Sequence, residues 1–395
     1  MDLAYLSEWA NLVIRWTHVI TGIAWIGASF YFIGLDNQLD PPADGDTRVK
    51  GEQWAVHGGG FYYKRKYAVA PPQLPEKLHW FKWEAYWTWI TGFSLFVLIY
   101  WGQASTYLID PAIMDLSPAV AIAISAAMLV AGWVVYDLIC RSKFGEDETK
   151  LSVAMVALLV AAAFAACHVF SGRGAFLQVG AMTGTIMVAN VAMVIIPGQR
   201  KMVEAMRLGR EPDPKYGRWG KQRSVHNTYL TLPVLFLMLA PHYPMTWSGP
   251  WNWVVLLAIT LAGALVRQYF VLRQLGRNPI VLPAVATAVV VGLMVALRPA
   301  PAPSLAGVEV PAFAEVQAIT ASHCAACHAA RPTFDGIAAA PKGVMLETPQ
   351  QLRRWAAAMR QQVQTEAMPP GNVTEITAEE RAKLLAWIAA GAKVE

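Results

Sequence analysis

Charge is scarce in this chain. Of its 395 residues only 15% are Asp, Glu, Lys or Arg, against roughly 25% in a soluble globular protein. Too little solvated surface is left for a soluble fold of this length. Cysteine is scarcer still, with four in all. Cys140 and Cys167 lie within or at the ends of apolar runs, where a free thiol packs as a small hydrophobe. The other two share one short motif. No cleavable leader is expected either, because the first apolar run is long and has no small-residue cleavage site at its end. Nor is there a dense block of positive charge: the net charge of +5 is modest and points away from a nucleic-acid partner.

What the chain has is grease and aromatic rings. It is 55% hydrophobic, with 16 Trp and 13 Tyr, a composition that suits a bilayer with aromatic belts at its two interfaces. Eight apolar stretches approach the ~20 residues that span a membrane. They run from Ala10 to Ile33, Trp83 to Gln103, Pro118 to Ile139, Leu151 to Phe170, Ala175 to Pro197, Thr228 to Tyr243, Trp251 to Phe270 and Ile280 to Leu297. The sixth is short and contains Pro233, a residue that kinks helices. The expected fold is all-α: an eight-span bundle over 1–298, a Pro/Ala-rich linker over 299–311, and a small polar domain over 312–395.

In that last domain the run "SHCAACHA" holds Cys324, Cys327 and His328 in the spacing by which a c-type haem is attached. Both thiols form thioethers with the porphyrin, and the histidine ligates the iron. A helix leads in from Val310 to Ser322, and an amphipathic run covers Pro349 to Gln364. Met368 then stands in the loop "EAMPPGN", and Thr377 with Glu380 forms a capping box at the head of a closing helix. Helix, CxxCH, loop, Met, helix is the order of a class I-like cytochrome c domain, and His/Met ligation suits an electron acceptor. His323 abuts the thioether turn and is placed too close to serve as the opposite ligand.

Haem attachment happens on the periplasmic side in bacteria, so the C-terminal domain belongs outside. Eight spans then put the N-terminus outside as well. Loop charges agree independently. Lys and Arg crowd the segments after spans one, three, five and seven, whereas 104–117 and 244–250 have none; this is a positive-inside pattern. The expected location is a bacterial inner membrane, crossed many times, with the haem domain periplasmic.

Ionisable groups inside spans are functional candidates because burying them is costly. His18 in span one and His168 near the outer end of span four both fall in the outer half. Two neutral imidazoles of this kind can clamp a b-type haem, with Arg15 or Arg173 pairing its propionates; His242 is a third candidate. Each can instead bond a neighbouring helix. At the inner face, "GEQWAVHGGGFYYKRKY" (51–67) and "KQRSVHNTYLTLP" (221–233) join the Trp83, Glu84 and Trp87 entry to span two. Trp54, His57, Lys64, Glu84, His226 and Asn227 are read as a basic, aromatic-lined pocket for a small planar anion. His57, Glu84 and His226 are the candidate bases, and Trp54, Lys64 and Asn227 the candidate binding groups.

These motifs together resemble the bacterial membrane-bound, cytochrome-c-fused urate oxidases (urate hydroxylases), over nearly the full length. The resemblance implies hydroxylation of urate by water to 5-hydroxyisourate, with electrons passed to the chain's own haem c and on to a soluble cytochrome c or a terminal oxidase, without forming hydrogen peroxide. An inner-face substrate would lie about 30 Å of membrane from an outer haem, which is a separate reason to expect a haem b between them. Two other readings remain open: oxidation of another purine or a quinol, and a non-catalytic anchor for an electron-transfer domain.

Overall fold

The computed structural model describes residues 3–298, 309–334, 337 and 339–394. All eight apolar stretches are helical. They form α1 (Leu3–Asn37), α2 (Trp83–Phe96, continued by a π-helical turn Val97–Trp101), and α4 (Pro118–Arg141), which follows a short α3 (Ala104–Tyr107). Next come α5 (Glu148–Val169), α6 (Gly172–Ala189), α8 (Pro214–Leu239), α9 (Asn252–Gln274) and α10 (Val281–Ala296). Among the described residues, five runs are long and apolar enough to cross a membrane. These are α1, α4, α5, α9 and the continuous run Gly172–Arg207. The last joins α6 through a π-helical segment (Asn190–Ile195) to α7 (Ile196–Arg207).

Helix ends follow side-chain chemistry. Ser117 accepts from the Val120 N–H, with Pro118 in the first turn. Asp147 accepts from the Thr149 and Lys150 N–H groups, and Asp213 caps α8 at Lys215. Each satisfies donors that a helix start leaves open. Two expectations change here. The sixth stretch, short as an apolar run, belongs to a longer helix, because the Asp213 cap and Pro214 start it fourteen residues before Thr228. The fifth does not stop at Pro197. The preceding π-helical segment accommodates the proline, whose ring would obstruct a regular helix, and the chain continues as α7.

α6 is the centre of the bundle, with Phe176, Val179 and Gln178 fully buried. Its neighbours approach closely where side chains are small. A Cβ on Gly132 of α4 would fall 2.4 Å from Met182 Cγ. Ala163 and Ala166 of α5 are wholly buried against the same core. Small residues let apolar helices pack backbone to backbone. Outward, Trp16, Ile23, Leu138, Val153 and Val156 are exposed, an apolar surface fit for lipid rather than water.

Loops gather by end. At one end Ser171 donates through its N–H to Leu108 O (2.9 Å) and through its hydroxyl to Tyr107 O (2.8 Å). At the other, Asp36 of α1 pairs with both Lys66 and Lys221, and Gln222 donates to Gly145 O. The segment between α1 and α2 is a β-hairpin of β1 (Val49–His57) and β2 (Gly60–Tyr67), antiparallel, with His57 opposite Gly60. Gly58 and Gly59 both take positive φ (60° and 80°), as a two-residue hairpin turn demands.

The C-terminal residues fold as three helices, α11 (Phe313–His323), α12 (Pro349–Gln364) and α13 (Ala378–Ala389). Their core includes Val316, Leu352, Met359, Leu384 and Trp387. The Thr377–Glu380 capping box is present, and Thr348 with Gln351 makes a second. This unit touches the bundle at the end held by Ser171, where Gly371 lies against the Ile109 carbonyl. Most of the Pro/Ala-rich linker, 299–308, lies outside the described residues.

Candidate functional site

The deepest polar cluster joins α4, α6 and α8. His226 Nδ1 is 2.7 Å from the Tyr136 hydroxyl and 3.9 Å from Cys140 Sγ. Asn190, at the start of the π-helical segment, donates to the Tyr136 oxygen and to Asn227 Oδ1, both at 2.9 Å. Asn227 in turn donates to the Met187 carbonyl. Arg223 donates to Asp137 (2.8 Å) and lies over the Tyr136 ring, 5.0 Å from its centroid. π-Helical segments inside α-helices recur at functional sites, and this one presents Asn190 to the network. The Tyr136 hydroxyl accepts from Asn190 and is itself also a donor, so the direction of its bond to Nδ1 sets which nitrogen of His226 carries the proton.

Of the six residues expected to share a pocket, only His226 and Asn227 meet here. Trp54 is 65% exposed on the hairpin, its ring tilted against that of Tyr63 with centroids 4.8 Å apart. His57 stands exposed beside the hairpin turn. Lys64 lies over the Tyr31 ring, and Glu84 is half-buried in the first turn of α2. Pairing explains why the hairpin departs from a ligand loop. Strand alternation sends neighbouring side chains to opposite faces, so Tyr62 points away from the face on which Trp54 meets Tyr63. Near the base of α2, a groove of about 520 Å³ is lined by Trp80, Lys82, Arg200 and Arg207, none of which is an expected pocket residue. The hairpin holds itself together. Tyr63 donates to Glu52, holding that carboxyl below its usual range with help from the Ala43 N–H.

The residues that sequence reading missed are Tyr136, Asp137 and Asn190, while Arg223 was counted only as a loop charge. Their signal was present: polar groups on otherwise apolar helices, within the Pro118–Ile139 and Ala175–Pro197 stretches.

Three histidines carry one device. His18 Nδ1–H donates to Thr88 O (3.0 Å), His168 Nδ1–H to Phe164 O (2.8 Å) and His328 Nδ1–H to Val344 O (2.9 Å). A backbone carbonyl accepts only, so the tautomer follows, and each Nε2 keeps the lone pair that a metal takes. His323 differs, with Nδ1 on Thr374 O and Nε2 facing Glu380. That leaves it no free nitrogen. Gly92 leaves room for His18, since a Cβ there would sit 2.7 Å from its Cε1. α1 packs mainly on α2, and α5 on α4, α6 and α9, so no substantial interface brings His18 to His168. Arg15 donates to Asn11 on its own helix. Arg173 covers the Tyr107 ring at 4.7 Å. Arg173, Lys342 and Arg15 all act electrostatically on His242, a cationic patch where the C-terminal unit docks.

That unit fits a covalently tethered haem. Cys324 and Cys327 are free thiols in one turn, with the Cys327 and His328 N–H groups on Cys324 O. Burial pushes the Cys324 thiol up to about 11. The Met368 loop is held by Arg381 Nη1, which donates to Met368 O at 2.8 Å. Among the described residues no three His, Cys, Asp or Glu side chains form a metal cluster. A haem iron needs none, because the porphyrin supplies its remaining donors.

Residues 4–298 match the family model described as urate oxidase N-terminal. The chain belongs to the urate oxidase N-terminal family. Every helix of the bundle and the whole His226 network fall within the matched span, while the CxxCH unit follows it. No curated protein and no solved structure matches the chain significantly.

Proposed function

We propose that this chain is a membrane urate oxidase that hydroxylates urate with water and delivers the electrons to its own C-terminal haem. Urate and water give 5-hydroxyisourate, two protons and two electrons. The observation that supports the reading is one of placement: a unit with the CxxCH spacing sits against the Ser171 end of a urate-oxidase-family bundle, through Gly371 and Ile109. Cys324, Cys327, His328 and Met368 would hold the haem, which would supply a one-electron acceptor.

Within the bundle, His226 is the group suited to exchange a proton with the substrate, because Tyr136 engages Nδ1 and leaves Nε2 outside that bond. Asn190 and Asn227 hold that arrangement rigid. His18, with its Nδ1 engaged by a carbonyl, suits a non-covalent haem between substrate and exit, with Arg15 near enough on the same helix to serve a propionate; His168 and Arg173 lie away from α1 and would not complete the same site. All eight helical stretches are taken to cross the inner membrane, with the hairpin and Asp36 end cytoplasmic and the haem domain periplasmic. Onward acceptors are a soluble cytochrome c or a terminal oxidase.

The test is an anaerobic absorbance spectrum of membranes with and without urate. Reduction of the haem bands by urate is expected. Bands that respond to a quinol or another purine but not to urate would overturn the substrate assignment.

A further inference from the structure

Arg267 lies in the interior half of α9, seven residues from the helix end at Gln274, or about 10 Å along the axis. Its side chain is 2% exposed. Its guanidinium stacks on Phe30 of α1, 4.0 Å from the ring centroid. Among the described residues neither Nε nor Nη2 has a hydrogen-bond partner, and no carboxylate pairs with it. Those two nitrogens form one edge of the guanidinium fork, the edge that takes two parallel acceptors at once. A buried cation without a counter-charge is strongly disfavoured unless something pairs with it. Thr260 Oγ1, two turns earlier on the same face of α9, is likewise buried and unpartnered.

We infer that the Nε/Nη2 edge of Arg267 anchors a planar anion inside the bundle, and that this anion is the substrate urate. Phe30 occupies the face of the guanidinium, so the partner must lie in its plane. Urate presents what that edge needs: a carbonyl oxygen beside a deprotonated ring nitrogen, both acceptors. Tyr229 of α8 donates to Gln268, the residue next to Arg267, which ties this part of α9 to α8. Tyr229 follows His226 by three residues, so the two side chains project about 60° apart around α8. An anion held by Arg267 therefore lies near the stretch of α8 that carries Tyr229, one turn from His226. The urate assignment rests on the proposed function, while the anion site rests on the unpartnered guanidinium alone.

The test uses the purified full chain, pre-reduced so that no turnover occurs, with melting temperature and urate binding as readouts. Arg267→Met should raise the melting temperature in the absence of urate, because it removes an uncompensated buried charge. It should also abolish the stabilisation that urate confers on the unaltered protein. Arg267→Lys should weaken urate binding at least tenfold by losing the bidentate edge, and Phe30→Leu several-fold while keeping the charge. A lower melting temperature for Arg267→Met with the urate response intact would overturn the site. So would unaltered urate binding in both Arg267→Lys and Phe30→Leu. If benzoate but not urate stabilises the unaltered protein, and Arg267→Met loses that response, the anion site stands and the urate reading falls.

Discussion

Replacing Asp137 by Asn should damage the protein more than removing the arginine it pairs with. The Arg223 side chain is 3% exposed and Asp137 18%. Arg223 has one close anionic partner at 2.8 Å, and its contact to Asn190 Oδ1 is long at 3.4 Å. Asp137 has a second cation, Arg141, at 2.6 Å and 54% exposed. Asp137→Asn thus strands a buried guanidinium, which costs about 3–5 kcal/mol. Arg223→Met leaves Asp137 paired with Arg141 and forfeits a charged hydrogen bond worth roughly 1.5–3 kcal/mol. The double variant should resemble Arg223→Met, because no stranded charge remains. At about 1.6 °C per kcal/mol for a bundle of roughly 300 residues, Asp137→Asn should lower the melting temperature in detergent by roughly 5–8 °C, and the second change should restore part of it. Additive losses in the double variant, or equal losses in the two single ones, would refute the asymmetry.

Gly92→Ala should push the His18 imidazole aside and erase any non-covalent haem bands, while a haem-stained denaturing gel stays unchanged. Cys324→Ser combined with Cys327→Ser should remove that stained band altogether. Gly371→Val places a branched side chain at φ 57°, with its Cβ 2.8 Å from the Ile109 carbonyl. It should slow urate-driven reduction of the covalent haem, with attachment intact by gel. At the hairpin, the Glu52 carboxyl is held low by Tyr63. Its stabilising share is therefore present above the ordinary carboxylate range and fades as pH falls through the depressed value. Amide exchange at Ala43 should accelerate over that window, and Tyr63→Phe should shift it upward.

Much of the scaffold was legible because membrane helices announce themselves by composition. The limits of α12 and the Thr377 box also follow from local rules alone. Ser117, Asp147 and Asp213 needed closer reading, and overlooking the last made α8 look short. The hairpin escaped because "HGGGFYYKRKY" reads equally as a ligand loop and as a turn between strands, and only pairing decides. Site residues were legible when their type is rare in a span, as with His226 and His18. Tyr136 and Asn190 are ordinary within apolar runs, and only the fold shows that they meet one histidine. Arg267 sat in plain view within the seventh stretch, but its lack of a partner is a fact about three helices at once.

Asp36 carries a last consequence. One carboxylate, at the end of the helix that bears Phe30, holds Lys66 of the hairpin and Lys221 at the foot of α8. On the proposed function, a urate route between α1 and α8 from that end would pass this latch. Both lysines are partly exposed, so dissolved salt weakens their hold. Moderate ionic strength should then quicken urate entry even as it weakens attraction between urate and the protein's cations. Entry rate and affinity would move in opposite directions with salt.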